Sequence, residues 1–243
     1  INTSNIAEPT VTDPSAYFAV NAYAGNGADI TAGGSGQTIT TGFQPDFVWI
    51  KQRSTEDHRL FDSVRGAGHY IESSSTNDQN QAIARGVTYP GGGYDEMLND
   101  FTSTGFTLGN VSVNTSSTNY VAWSWKAGGE PTADNSPADE TPTNNSIMID
   151  GAASTTTLTI SDIYPTRATG SNTFKFGMIK YEGNGSSSTQ TLANPFSWSP
   201  DVIFCKNLEA GDDWEIFHSS LGHSGDSRMY LNKSDAASGA SRI

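Results

Sequence analysis

The sequence repeats itself, and the repeat constrains the fold more tightly than any single motif does. Tyr23-Ala24-Gly25-Asn26-Gly27 returns 158 residues later as Tyr181-Glu182-Gly183-Asn184-Gly185. The block Phe43–Gln52 (F-Q-P-D-F-V-W-I-K-Q) returns at an offset of 155 as Trp198–Asn207 (W-S-P-D-V-I-F-C-K-N). Asp57–Ser63 meets Asp213–Ser219 at an offset of 156, and Tyr70–Ser74 meets Tyr230–Ser234 at 160. The order is kept and the offset drifts only by loop-sized insertions, which chance does not produce four times. The first copy runs on through Asp100–Gly109 (D-F-T-S-T-G-F-T-L-G) and Tyr120–Gly129 (Y-V-A-W-S-W-K-A-G-G). The second reaches Ile243 without those two blocks. The expectation is a longer polypeptide that supplies them, with the counterpart of Trp125 about 155–160 residues further on. The start fits the same reading, because Ile1 is not an initiator methionine and residues 1–6 lack signal-peptide character.

Short apolar runs between Gly, Asn, Pro and Ser predict strands at Phe18–Tyr23, Thr38–Thr41, Phe47–Lys51, Leu60–Val64, Phe106–Leu108 and Tyr120–Lys126. No window carries sustained i, i+3, i+4 apolar spacing, so few helices are expected. In Tyr120–Lys126, Val121, Trp123 and Trp125 share one face, and the tryptophan face is expected to enter the core. Phe47–Ile50 and Val202–Cys205 are apolar on both faces, as in strands covered on both sides. The fold class this implies is all-β, an antiparallel β-sandwich of jelly-roll type, present as one complete copy and a partial second. The predicted boundaries are 1–14 for an N-terminal extension, 15–129 for the first sandwich, 130–146 for a Pro-rich linker or extended surface segment, 147–173 for a small hairpin and connector, and 174–243 for the partial second sandwich. Within the connector, Ile147–Gly151 and Thr157–Ile160 are expected to pair.

Composition excludes several classes. The chain has 13 Lys+Arg against 26 Asp+Glu, a net charge of −13, and no basic run, so nucleic acid is not an expected partner. No stretch approaches the ~20 apolar residues of a membrane span. The single cysteine, Cys205, excludes a disulfide framework.

The repeat places Cys205 opposite Ile50, which reads as a core thiol rather than a nucleophile. His58 aligns with Trp214 and His218 with Asp62, so neither is kept between copies, and His69 and His223 have no fixed partner set. Asp46 and Asp201 follow a proline before a strand, as in a turn whose Asp bonds the following backbone. Asp57 and Asp213 end acidic loops that have the oxygen ligands, but not the spacing, of a calcium site. No cofactor and no catalytic residue is expected, and calcium is the metal ion these loops could hold. The Gly25–Gly27 and Gly183–Gly185 turns lack the strand–loop–helix setting of a phosphate loop and read as tight hairpin turns. Tyr70, Tyr89, Tyr94 and Tyr120 lie in or beside loops and are the candidate glycan or receptor contacts, by stacking of sugar faces on rings.

Six segments, Pro14–Phe18, Tyr23–Gly27, Gly42–Ser54, Phe61–Gly66, Asp100–Gly109 and Tyr120–Gly129, resemble a domain of tail-fibre and other virion appendage proteins of tailed, notably marine, bacteriophages. Pro131–Ser136 and Ser146–Gly151 are similar to the same family. The resemblance covers nearly the whole chain. It implies a concanavalin- or laminin-G-like sandwich, a virion surface location, other virion proteins as partners, and homo-oligomers, trimers foremost. It brings no catalytic residues. The function it implies is a tail-fibre or appendage module presenting a host-receptor contact such as a surface glycan. Two other functions fit the same residues, a capsid decoration or packing protein without a receptor role and a polysaccharide depolymerase. Trp198, Cys205 and the unmatched closing strands are where the second copy departs from the family's pattern.

Overall fold

A computed structural model of the chain describes residues 11–30, 35–54, 56–79, 97–109, 112–221, 227–235 and 238–239. Strands hold 36% of the described residues and helices 4%, so the class is all-β. The first copy contributes β1 (Phe18–Ala24), β2 (Gln37–Thr40), β3 (Phe47–Gln52), β4 (Arg59–Asp62), β5 (Tyr70–Ile71), β6 (Leu98–Thr102), β7 (Gly105–Leu108) and β8 (Asn119–Trp125). They form a five-stranded sheet in the order β1-β8-β3-β4-β5 and a three-stranded sheet in the order β2-β7-β6. Every pairing in both sheets is antiparallel. Val48, Ile50, Phe61, Tyr120 and Ala122 of the larger sheet share one core with Ile39, Leu98, Phe101, Phe106 and Leu108 of the smaller. Burial of each such large side chain contributes about 1.5–3 kcal/mol.

The alternation along β8 is as expected, but its polarity is inverted. Tyr120, Ala122 and Ser124 are the fully buried face, and Val121, Trp123 and Trp125 are half-buried on the other. The small side chains at 122 and 124 let the second sheet approach, and Tyr120 fills the end of the gap. The tryptophans instead cover the outer face of the large sheet. Trp123 packs edge-on to Trp49 at 6.3 Å, and Trp125 stacks on Phe176 of the second half of the chain at 6.0 Å. β3 is central and covered on both sides, with Val48 and Ile50 inside and Phe47 and Trp49 under the outer aromatics.

The remaining strands are β9 (Ile147–Ile149), β10 (Ala152–Ala153), β11 (Pro165–Ser171), β12 (Phe176–Tyr181), β13 (Val202–Cys205), β14 (Glu215–His218), β15 (Ser227–Tyr230) and β16 (Ser238–Gly239). β10-β9-β11-β12 is one sheet and β13-β14-β15-β16 another. β9 runs parallel to β11. The connector hairpin differs from expectation, because Ile147–Ile149 pairs with Ala152–Ala153 and Thr157–Ile160 is not a strand. Asp150 (φ 50°) and Gly151 (φ 88°) both take left-handed backbone, which closes a two-residue turn and reverses the chain at once. The segment over 130–146 is held in place. Asn135, 3% exposed, donates to the carbonyls of Asp139 and Pro165 and accepts from the Thr143 amide.

By the sequence repeat, β12 corresponds to β1, β13 to β3, β14 to β4 and β15 to β5. Val202, Ile203 and Phe204 of β13 are 41–53% exposed, against the expectation of a strand covered on both faces. β13 is at the end of its sheet, whereas β3 has β8 beside it. The two copies also share a small core, in which Trp214 packs with Leu60 and Ile71, flanked by Phe47, Trp49, Leu208 and Leu231.

Candidate functional site

Of the expected contact tyrosines, Tyr70 and Tyr120 are buried, at 8% and 2% exposed. The Arg59 guanidinium lies 5.0 Å over the Tyr70 ring, and the Tyr120 ring stacks on Tyr23 at 5.1 Å while its hydroxyl accepts from the Thr115 amide. Tyr89 and Tyr94 lie outside the described residues. Burial, with Tyr120 beside it, holds the Tyr23 phenol well above its usual range, so it remains a donor to the Val113 carbonyl at 2.9 Å. The exposed counterpart of these rings is a shallow polar hollow of about 530 Å³, lined by Gln52, Arg53, Ser54, Ser117, Thr118 and Asn119. The amide of Arg53 donates to the Asn119 carbonyl and ties the two sides of the hollow together. A smaller hollow beside it shares Arg53 and Asn119 and reaches the edges of Tyr23 and Tyr120.

The acids have structural partners. Asp46, 1% exposed, does not bond the backbone that follows it, as a simple turn would. Its Oδ1 accepts from the Ser63 hydroxyl at 2.9 Å and its Oδ2 from the amides of Ala127 at 2.6 Å and Gly129 at 3.2 Å. Burial pushes its carboxyl upward and these three donors oppose that shift. The second copy repeats half of this arrangement. The Ser219 hydroxyl donates to Asp201 Oδ1 at 3.0 Å and the Ser219 amide to the Asp201 carbonyl at 2.8 Å, matching Ser63 on Asp46. Asp57 accepts from the Ser74 hydroxyl and lies 3.9 Å from Arg59. Asp213 is paired with the Lys233 ammonium and accepts from the Asn232 side chain, which hold its carboxyl below the usual range. Each of these two acidic loops thus places its carboxylate beside a cation of the chain. Among the described residues, no group of three or more His, Cys, Asp or Glu is placed to hold a metal ion.

His58 Nδ1 accepts from the Trp49 indole at 2.7 Å, which requires an unprotonated Nδ1, and burial lowers its pKa with Lys51 adding to the effect. Burial and Arg65 lower the pKa of His69. His218 Nδ1 accepts from the Ser220 amide, and His223 lies outside the described residues. Cys205 is half-buried rather than a core thiol, because β13 is an exposed end strand. Its Sγ lies 3.6 Å from the Tyr181 hydroxyl. The Gly25–Gly27 turn is not a hairpin, since β1 pairs with β8 and β2 with β7. The Asn114 side chain pins it instead, accepting from the Asn26 amide and donating to Asn26 Oδ1 and the Ala28 carbonyl.

Sequence reasoning missed the polar junction around Glu72. Its carboxylate pairs with Arg59 and accepts from Ser75 and Asn77, and its backbone carbonyl accepts from the Trp214 indole at 2.7 Å. No repeated residue pair marks that junction. The Asp46–Ser63 pair was detectable, because Asp201 and Ser219 retain both residues at nearly equal offsets.

These elements define an all-β protein in which buried polar groups tie loops to sheets and the two halves of the sequence repeat to each other. The chain belongs to the family described as a domain of unknown function, DUF7483, whose model matches residues 13–243 and so spans both copies. No curated protein and no solved structure matches it. Among the described residues, no helix is long and apolar enough to cross a membrane.

Proposed function

We propose that this chain is a module of a tailed-phage virion, a tail fibre or related appendage whose concanavalin-like sandwich spaces and presents a host-receptor contact. The observation that carries this reading is the interlock between copies. Trp214 of the second copy enters a core with Leu60 and Ile71 of the first, and its indole donates to the Glu72 carbonyl. Phe176 packs against Trp125 and Phe47. Copies joined this way transmit orientation along a chain of modules, which an extended appendage needs and an isolated binding domain does not. The resemblance of the repeated blocks to virion appendage domains supports the same conclusion.

The contact surface in this reading is the hollow around Arg53, whose guanidinium, amides and hydroxyls suit the hydroxyl groups of a host glycan. The test is a reconstruction of the virion that carries this chain, together with adsorption measured for an Arg53→Ala virion. The expected result is density for the chain in an appendage and reduced adsorption of the variant. Density confined to the icosahedral shell, or unchanged adsorption, would overturn it.

A further inference from the structure

Three features of the second copy are built for a segment that lies against their counterparts in the first copy. The first is the glycine turn. A Cβ at Gly25 would lie 2.2 Å from the Thr115 carbonyl oxygen and 2.7 Å from the Asn114 carbonyl carbon, so glycine is required by the loop that leads into β8. Gly183 is its counterpart, and nothing lies within 4 Å of the same point. Glycine is retained there, at a position without a left-handed backbone, although nothing around it in this structure demands it.

The second is the aspartate. Asp46 uses Oδ1 for Ser63 and Oδ2 for the amides of Ala127 and Gly129, where the chain leaves β8. Asp201 keeps the serine on Oδ1 and is exposed. Among the described residues, none donates to its Oδ2.

The third is the strand pair itself. In the first copy β8 sits between β1 and β3, with Trp125 opposite both Phe18 and Phe47 and Tyr120 opposite Tyr23. Their counterparts, β12 and β13, belong to different sheets. Among the described strands, β12 pairs with β11 alone and β13 with β14 alone. Val202, Ile203 and Phe204 are left exposed along the open edge. Tyr23 stacks on Tyr120, but Tyr181 is 42% exposed and its hydroxyl reaches Cys205 Sγ.

We infer that β12 and β13 form an acceptor for one β8-type segment, inserted antiparallel to both strands. Its leading loop packs on Gly183 and its exit amides are held by Asp201 Oδ2. The occupant is a strand with small residues on the sandwich face and aromatic residues on the outer face, led in by a polar loop and followed by Ala-Gly-Gly, the chemistry of residues 112–129. Its register follows from the first copy: the position equivalent to Trp125 falls opposite Phe176 and Val202, and that equivalent to Tyr120 opposite Tyr181. Main-chain hydrogen bonds to two open edges supply affinity, and the alternating side chains supply selectivity.

The test uses the full chain, a synthetic peptide of residues 112–129, and Cys205 as reporter, since it is the only cysteine of the chain. The rate of thiol labelling at Cys205 is followed as peptide is added, with amide exchange of β13 in parallel. The expected result is labelling slowed about tenfold at saturating peptide, with matching protection of the Val202–Cys205 amides. A scrambled peptide should give no protection, and a peptide with Ala127→Pro, which lacks the amide that Asp201 would hold, should protect less. Gly183→Val places its side chain in open space, so the free protein should melt as the wild type does while peptide protection is lost. Unchanged labelling, equal protection by the scrambled peptide, or full protection of Gly183→Val would overturn the inference. So would a chain that dimerises without peptide and shields Cys205 by itself, since two copies would then pair edge to edge.

Discussion

Trp214 is the position where one substitution separates the two copies. Its side chain is 5% exposed and lies between Leu60 (2%) and Ile71 (7%), residues of the first copy, while its own backbone belongs to the second. Two components are removed by different substitutions. Trp214→Phe keeps most of the ring but deletes the donor 2.7 Å from the Glu72 carbonyl, leaving a buried acceptor short of a partner at a cost of about 1–3 kcal/mol. Trp214→Ala also opens a cavity against Leu60 and Ile71, and large-to-small changes at such aromatic positions cost about 3–5 kcal/mol. For a domain of this size that corresponds to a fall of roughly 6–20 °C in Tm. The more discriminating readout is the shape of the transition. Because the contact joins the copies, its loss should split one calorimetric endotherm into two, with the second copy melting first because its β13 edge is open. Leu221→Ala, at an already exposed residue, is the control and should leave the melt unchanged. If Trp214→Ala melts in one transition within about 2 °C of the wild type, the two copies do not share a core and the interlock argument is wrong.

Two further outcomes follow from the buried polar groups. His58 and His69 both have folded-state pKa values below the ordinary histidine value, so their contribution to stability is present above about pH 6.5 and is lost as pH falls through the lower folded values. The urea midpoint should therefore drop between pH 7 and pH 5. The drop should be smaller in His58→Leu, and quenching of Trp49 fluorescence should change over the same range as protonation of Nδ1 breaks the indole bond. Asp46→Ala leaves the Ser63 hydroxyl and the amides of Ala127 and Gly129 without their acceptor and should cost about 3–5 kcal/mol in urea unfolding. Asp201→Ala, at the exposed counterpart, should cost under about 1 kcal/mol; equal losses at the two positions would refute the account of the Asp46 clamp.

Local patterning and the repeat together made most of the first copy legible. β1, β2, β3, β4, β7 and β8 lie within one or two residues of the runs predicted for them, because each is an apolar run between turn-forming residues. β5 was invisible because two residues carry no period, and β11 because Pro165–Ser171 is a polar string whose burial comes from neighbours rather than from its own side chains. The inversion of β8 has a different cause. Alternation fixes which residues share a face but not which face meets the second sheet. The face that takes the tryptophans is set by which apolar surfaces are available to cover it. Here Phe176 and the Trp214 cluster supply one outside. Tyr70 and Tyr120 were misplaced for a related reason. Adjacency to a loop in sequence says little about exposure when the ring points back over the sheet, as Tyr120 does onto Tyr23.

The inverted faces and the open edge have one physical origin. A sandwich with a single covered interface would place its tryptophans inside and leave a polar outer face. In this one β8 puts Ala122 and Ser124 inside and Trp123 and Trp125 outside, which leaves an apolar exterior on the large sheet that water would penalise unless another copy covers it. Phe176, at the start of β12, performs that covering, and β12 is also the strand that opens the second copy. The residue that seals one copy is therefore part of the edge on which the next is built. In the first copy that edge receives β8, with Trp125 opposite Phe18; in the second, Phe176 holds the equivalent place in β12 while packing back on Trp125. Such coupling makes a β8-type strand count twice, once as the centre of its own sheet and once as the aromatic floor for its neighbour. A sequence that repeats at 155–160 residues, keeps Gly183 with open space beside it and keeps Asp201 with only its Oδ1 engaged by Ser219 fits that double use.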